Sequence, residues 1–482
     1  MEAVGVALRR WLGTFRLVYL PILTTYFCFG AGFITSVALL YFEKNTLALT
    51  PAESAAIAFW LGLPWSMKMV VGVASDIRPI FGSRRAAYLI VGALCSLAGY
   101  AALATVVHTK SAYLVATLLV AIGFMIQDVV ADALSVEVAR NDEEIGQIQT
   151  LGRMAMLVGG IVVGLPSGWL AAWLGPRGVF ACAMVLPILV ALGVLFLPRW
   201  RDAPAVVARK AAGVLSGGRA RLVLLVGLGY ATFGVTLELL AVPAAQEIIL
   251  VVSAVLLSFL LVRMGVTHAV LVAAIVIFIF RATPSVGQGY SYWAIDGLGF
   301  DERFLGVLAQ VSSILGLLGL LVFRRTIVKR PVSFTLLWVI VAGTILYLPN
   351  IGLFYGVHEW LGVSARAFAL IDTTISAPLN QLAMVPMLVL IAKTAPSGGE
   401  ATMFAIMASL MNLALSASQL FTRYLNEAYA VTQQDYSNLG RLMVTVGLIG
   451  LAPLLALPLL RRQERGASDA VQLAVPRAAA SS

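Results

Sequence analysis

The stretch 122–140, IGFMIQDVVADALSVEVAR, decides what kind of protein this is. The segment around it, 111–138, is long and apolar enough to cross a bilayer, which takes about 20 such residues. Yet it carries Asp128 and Asp132, four residues apart and therefore on one face of a helix. A charge at the centre of a transmembrane helix costs roughly 3 kcal/mol or more. Chains that keep such charges pair them or turn them into a polar cavity, so each marks a transport-site hypothesis. Lys68 and Arg153 lie in apolar segments of the same kind and extend the set.

Composition agrees with a membrane reading. The 482 residues are 60% hydrophobic and 12% charged, against about 25% charged in a soluble domain. The net charge of +10 does not point to nucleic acid, because the basic residues cluster between apolar segments. Cys28, Cys95 and Cys182 fall in apolar segments without metal-ligand spacing and read as small buried residues. No phosphate-binding G-x-x-x-x-G-K-[ST] loop is present. No cofactor is implied, and the chain is not expected to be an enzyme.

Six segments fill the first half: 17–42, 53–75, 86–107, 111–138, 147–174 and 178–197. A basic stretch, PRWRDAPAVVARKAAGVLSGGRAR at 198–221, reads as a cytoplasmic linker. Two apolar segments follow at 222–241 and 246–263, then six more at 268–294, 303–323, 333–355, 367–392, 400–427 and 438–460. The tail after Arg461 is Ala/Ser-rich. The expected organisation is an all-α polytopic membrane protein: an N-terminal six-helix half (1–197), the linker, a two-helix membrane insert (222–263), a C-terminal six-helix half (264–460) and a cytoplasmic, disordered tail (461–482). The first apolar segment is long enough to span and reads as an uncleaved helix rather than a signal peptide. With the amino terminus inside, 23 Lys and Arg fall on the cytoplasmic side and 7 outside, which puts both termini in the cytoplasm. Two halves joined by a linker are the plan of a carrier whose binding site lies near the membrane midplane.

The loop GVASDIRPIFGSRR, with Gly72, Asp76, Gly82, Arg84 and Arg85, resembles the signature between helices 2 and 3 of the major facilitator superfamily. Longer blocks resemble the folate-biopterin transporter family: LPWSMKMVVGVASDIRPIFGSRRAAYL, QDVVADALSVE, FRATPSVGQGYSYWAIDGLGFDERFLGVLAQVSS, the stretch from Ala369 to Ala414, and DYSNLG at 435–440. The resemblance runs from about 15 to 460. It implies a major facilitator fold, a bacterial inner-membrane location and transport of a small organic anion of folate or pteridine type. It also implies that Asp76, with Arg84 and Arg85, gates the cytoplasmic side. Arg281 departs from the pattern, standing where many members have an apolar or aromatic residue.

Candidate residues follow. Lys68, four after Pro64, attracts a substrate carboxylate, or pairs with Asp128 or Asp132, or snorkels to the cytoplasmic surface. Asp128 and Asp132 either divide gating and proton coupling between them or lock the helices through Lys68 and Arg153. Arg281 suits bidentate binding of a carboxylate or phosphate, or it pairs with Asp372 or Glu238. Asp372, Ser376 and Asn380 share a helical face, and the amides of Asn380 and Gln381 suit the edge of a pterin ring. Tyr290 and Trp293 suit stacking on such a ring, or are interfacial. The expected partners are an anionic small molecule, a proton and the bilayer, with the protein a monomer. The competing reading is a non-transporting membrane factor that assists assembly of pigment or light-harvesting complexes. No mid-helix His stands ready to ligate a pigment metal.

Overall fold

The computed structural model describes residues 16–197, 217–263, 266–380, 386–387, 389–391 and 400–465. These are helical apart from turns and one isolated bridge, Ile80 to Ser83. In chain order the helices are α1 (Leu20–Ala31), α2 (Ser36–Tyr41), α3 (Pro51–Ser66), α4 (Lys68–Ile77), α5 (Ala86–Thr105), α6 (Lys110–Val138), α7 (Asp142–Ala183), α8 (Val185–Gly193), α9 (Gly217–Leu239), α10 (Ala245–Arg263), α11 (His268–Arg281), α12 (Gln288–Leu298), α13 (Glu302–Lys329), α14 (Val332–Phe354), α15 (Val357–Trp360), α16 (Ala365–Asn380), α17 (Glu400–Ala428) and α18 (Leu439–Ile449).

Helix starts follow local chemistry. The side chains of Thr109, Asn141, Thr267 and Asp301 accept hydrogen bonds from backbone N–H groups in the first turns of α6, α7, α11 and α13. Breaks follow it too. The apolar run Pro51–Ile77 is interrupted at Met67 (φ −108°, ψ 16°), just past Pro64. The run Glu143–Phe196 would be about 80 Å long if straight. It turns instead at Gly175, whose φ of 66° and ψ of 172° suit glycine and precede Pro176. This gives the two crossings expected there.

The described residues contain nine runs long and apolar enough to cross a membrane, one of them folded at Gly175. The residues of the expected insert form two helices, α9 and α10, joined by a turn at 240–244. The expected linker, 198–221, lies outside the described residues up to 216, and 217–221 is already helical. The expected tail lies outside the described residues from 466; its first part, to Arg465, continues as helix. The segment expected as one helix over 268–294 is two, α11 and α12, separated by a non-helical stretch at 282–287.

The chain divides into two compact units, Met1–Tyr41 with Met67–Thr236 and Phe42–Ser66 with Leu237–Ser482. In the first, helices approach through glycines. A Cβ on Gly30 of α1 would lie 1.8 Å from Met156 O of α7, and one on Gly159 would lie 2.3 Å from Phe27 O. On α5 and α6, Gly99 and Gly123 are as tight against Ala116 O and Gly92 O, at 2.5 and 2.4 Å. Small residues let backbones close in where lipid offers no hydrophobic push. In the second unit α3 packs on α17. Gly62 faces Ser416, and Asn412 Nδ2 donates to Trp65 O at 3.1 Å, beside the break at Met67. Gly319 of α13 lies against Pro378 O of α16.

Candidate functional site

In the first unit, α4, α6, α1 and α7 bring the intramembrane charges together. Lys68 Nζ forms an ion pair with Asp128. Asp132, one turn further along α6, accepts from the Tyr26 hydroxyl of α1 and from Gln149 Nε2 of α7 at 3.4 Å. Gln149 Nε2 also donates to Ser135 Oγ at 2.6 Å, and Ser135 Oγ donates to Asp132 O at 2.7 Å. The two carboxylates therefore differ. Asp128 has a cation, whereas Asp132 is held by neutral donors, has no ion pair among the described residues, and is exposed on its remaining side. Arg153 is exposed and its Nη1 lies 4.0 Å from Met156 Sδ; among the described residues no ion pair joins it to either aspartate.

At the end of the same helices sits a second cluster. Arg85 Nη2 lies 2.6 Å from Asp76 Oδ1 and 2.8 Å from Glu137 Oε1, and Arg85 Nη1 donates to Ser75 Oγ at 2.7 Å. Arg84, 2% exposed, reaches Glu137 at 3.3 Å and Asp76 at 3.9 Å. Burial opposes the charge of Arg85, but the Glu137 and Asp76 carboxylates more than offset it, so its pKa stands above the ordinary value. Asp76, Arg84 and Arg85 are legible in the sequence as a signature. Glu137, which joins α6 to them, carries no such signal of its own, although QDVVADALSVE contains it.

In the second unit the gap between α11 and α12 is built rather than frayed. Ser285 N donates to Thr422 Oγ1 at 3.0 Å, Ser418 Oγ donates to Thr283 O at 2.7 Å, and Asn426 Nδ2 donates to Val286 O at 3.1 Å. Residues 418, 422 and 426 lie one turn apart on α17, so one helix face supplies the hydrogen bonds that the interrupted helix gave up. Beside this stretch lies a cavity of about 750 Å³, lined among others by Pro284, Val286, Tyr290, Trp338, Tyr347 and Asn350. Asn350 Nδ2 donates to Asp372 Oδ2 at 3.1 Å, and the buried Asp372 Oδ1 has no partner among the described residues. Arg281 ends α11, directly after Phe280 of the cavity wall. Among the described residues its buried Nε has no partner, and it forms no ion pair with Asp372, Glu238 or any other carboxylate. Gln381 lies outside the described residues, as does the side chain of Asn380.

A further cluster in this unit escaped the sequence reading. Lys44, 7% exposed, pairs with Asp296 at 2.8 Å and lies over the Tyr292 ring at 5.7 Å. Tyr436 donates to Asp296 Oδ2 at 2.7 Å, while Gln433 Nε2 donates to Lys44 O and Leu49 O. Only the placing of Tyr436 in DYSNLG hinted at it. Among the described residues no group of His, Cys, Asp and Glu could hold a metal ion.

The sequence pattern of the BT1 family matches residues 30–472. The chain belongs to the BT1 family. A folate-biopterin transporter from Synechocystis sp. is 31% identical over 443 residues, covering 92% of this chain and 81% of the relative. Folate transporter 1 of Plasmodium falciparum is 22% identical over 438 residues, covering 89% and 77%. Among solved structures, a mutant of the peptide transporter POT in complex with alafosfalin superimposes with a TM-score of 0.63 at 17% identity, over 93% of this chain and 94% of that one. A mutant of the nucleoside transporter NupG gives 0.62 at 14% identity, over 92% and 100%. This BT1 chain is an all-α integral membrane protein with the major facilitator fold. It is a transporter and not an enzyme.

Proposed function

We propose that this BT1-family protein is a secondary transporter of a small organic anion of the folate or pteridine class, driven by protons and working by alternating access. The observation that carries the proton coupling is the unequal company of Asp128 and Asp132. A carboxylate already neutralised by Lys68 is a poor proton carrier. One held by the neutral donors Tyr26 and Gln149, and open on its other side, can gain and lose a proton without breaking an ion pair. Asp132 is therefore given the coupling role and the Lys68–Asp128 pair the gating role, with Arg153 close along α7. Asp76, Arg84 and Arg85 hold the cytoplasmic ends of their helices. Lys68 exposes its charge to the substrate whenever the pair opens.

The substrate class rests on the relatives' names and on Arg281, a cation whose Nε is buried and which has no ion pair among the described residues. Such a charge is costly unless an anion joins it. Asp372, Asn380 and Gln381 supply polar contacts from α16 and the residues after it. We also propose a monomer in a bacterial inner membrane, with halves at 1–197 and 264–460; the basic-residue distribution supports placing both termini in the cytoplasm.

The test is uptake of labelled folate and of labelled biopterin into proteoliposomes, with and without an inward proton gradient. Accumulation that rises with the gradient is the expected result. No accumulation of either compound under any gradient would remove the substrate class. Gradient-independent accumulation would remove the proton.

A further inference from the structure

The cavity beside the break between α11 and α12 carries more than its size. We propose that it seats the flat ring of the substrate, a fused nitrogen heterocycle with a lactam edge, and that Asn350 and Tyr347 read that edge. The proposal rests on the reading of the protein as a carrier of folate- or pteridine-like anions.

At about 750 Å³ the cavity is within the range of small-molecule sites. Its walls offer flat apolar surface: Pro284 and Val286 from the break, Tyr290 from α12 and Trp338 from α14. Tyr290 is braced by Trp293 at 5.7 Å, and Trp293 by Phe354 at 5.0 Å. The backbone of the break spends hydrogen bonds on Ser418, Thr422 and Asn426, so side chains are left to supply the cavity's polarity.

The hydroxyls of Thr283, Ser285, Thr335 and Thr344 in the wall bond to backbone groups within their own turns, which leaves Tyr347 and Asn350, three residues apart on α14 and so on one face. The bond from Asn350 Nδ2 to Asp372 Oδ2 fixes the amide and leaves Oδ1 as an acceptor. Among the described residues the buried Tyr347 hydroxyl has no partner, and an orphaned buried hydroxyl costs about 1–3 kcal/mol. Gly447 of α18 lies beside the Tyr347 ring, where an added Cβ would meet Cδ1 at 3.4 Å. An acceptor beside a donor complements an N–H beside a C=O. The ring N–H donates to Asn350 Oδ1, and the ring carbonyl accepts from Tyr347. Pteridines and purines share this edge. Arg281, next to Phe280 of the cavity wall, then takes the anionic part of the substrate.

Binding to the purified full-length protein in detergent, followed by tryptophan fluorescence and calorimetry, tests this with three probes. Biopterin carries the ring without an anionic tail, p-aminobenzoyl-glutamate carries the tail without the ring, and guanine carries the purine edge. Asn350→Leu and Tyr347→Phe are each expected to weaken biopterin binding about tenfold and to leave p-aminobenzoyl-glutamate unchanged. Arg281→Gln is expected to do the reverse. Guanine binding that falls in the same two variants supports the lactam edge and extends the ligand class to purines. Guanine binding that is unchanged in them overturns that shared-edge assignment. Biopterin binding unchanged in both variants overturns the ring seat while leaving the carrier reading intact. Wild-type protein that binds neither biopterin nor p-aminobenzoyl-glutamate overturns both. Should Asn350→Leu fail to fold, Tyr347→Phe decides, because it removes one oxygen and no volume from the wall.

Discussion

Asp128 and Asp132 are one turn apart on α6 and keep opposite company. Removing the partner of a half-buried charge leaves the charge uncompensated. Lys68→Ala should therefore lower stability by about 3–5 kcal/mol, and adding Asp128→Ala should recover most of the loss. Thermal unfolding of the four proteins in one detergent gives the cycle, and equal melting of the single and double variants would contradict it. Asp132→Asn should leave substrate counterflow within about twofold of wild type while gradient-driven accumulation falls to the no-gradient level. A parallel loss of counterflow would mean that Asp132 binds substrate. The aspartates and Lys68 were legible because charge inside an apolar helix is expensive wherever it sits. Their neutral partners were not. Tyr26 is 106 residues from Asp132, and a tyrosine in an apolar helix reads as interfacial. Gln149, near the start of α7, reads as a solvated helix end.

At the scale of elements, helix contacts depend on absent side chains and on borrowed hydrogen bonds. Gly159→Leu must push α7 off Phe27 of α1. Overpacking of this kind costs about 1–3 kcal/mol, and a backbone contact places it at the upper end. The expected result is a thermal midpoint several degrees lower, whereas Gly160→Leu, with no atom nearer than 3.9 Å, should be mild. Thr422→Val keeps the shape of α17 but orphans the Ser285 N–H. It should cost about 1–3 kcal/mol and impair transport, and unchanged stability would show that water replaces the hydroxyl. The spans were readable because 20-residue apolar runs are long signals. The break at 282–287 lay in view as Thr-Pro-Ser-Val-Gly, with Pro284 disfavouring helix before it and Gly287 at φ 66°. The apolar run nevertheless read as continuous, because the side chains that stabilise the break lie some 140 residues away on α17, as in the 140-residue separation of Asn426 from Val286. In sequence, Ser418, Thr422 and Asn426 look like ordinary helix packing.

For the whole molecule, we propose that α9 and α10 both cross the membrane and share the orientation proposed from the basic residues, with both termini cytoplasmic. The turn between them should then face outside. A cysteine introduced at the exposed Ala244, in a background lacking the native cysteines, should react with a membrane-impermeant maleimide added to intact cells. Labelling only after lysis would place the turn inside or in the bilayer. The compact units do not follow the linear halves, since the chain passes from one unit to the other after Tyr41, Ser66 and Thr236. Sequence order could not show this, because hydropathy reports that a helix is buried and not what buries it. The pairing of α3 with α17 sets a timetable for biogenesis. Trp65 and Asn412 are 347 residues apart. At a translation rate of about 5–20 residues per second, α3 waits roughly 17–70 s for that partner. Until then the Ser416 contact of Gly62 and the Asn412 hydrogen bond to Trp65 O cannot form. A stalled chain ending before Glu400 lacks both contacts, and α17 is the segment whose arrival supplies them.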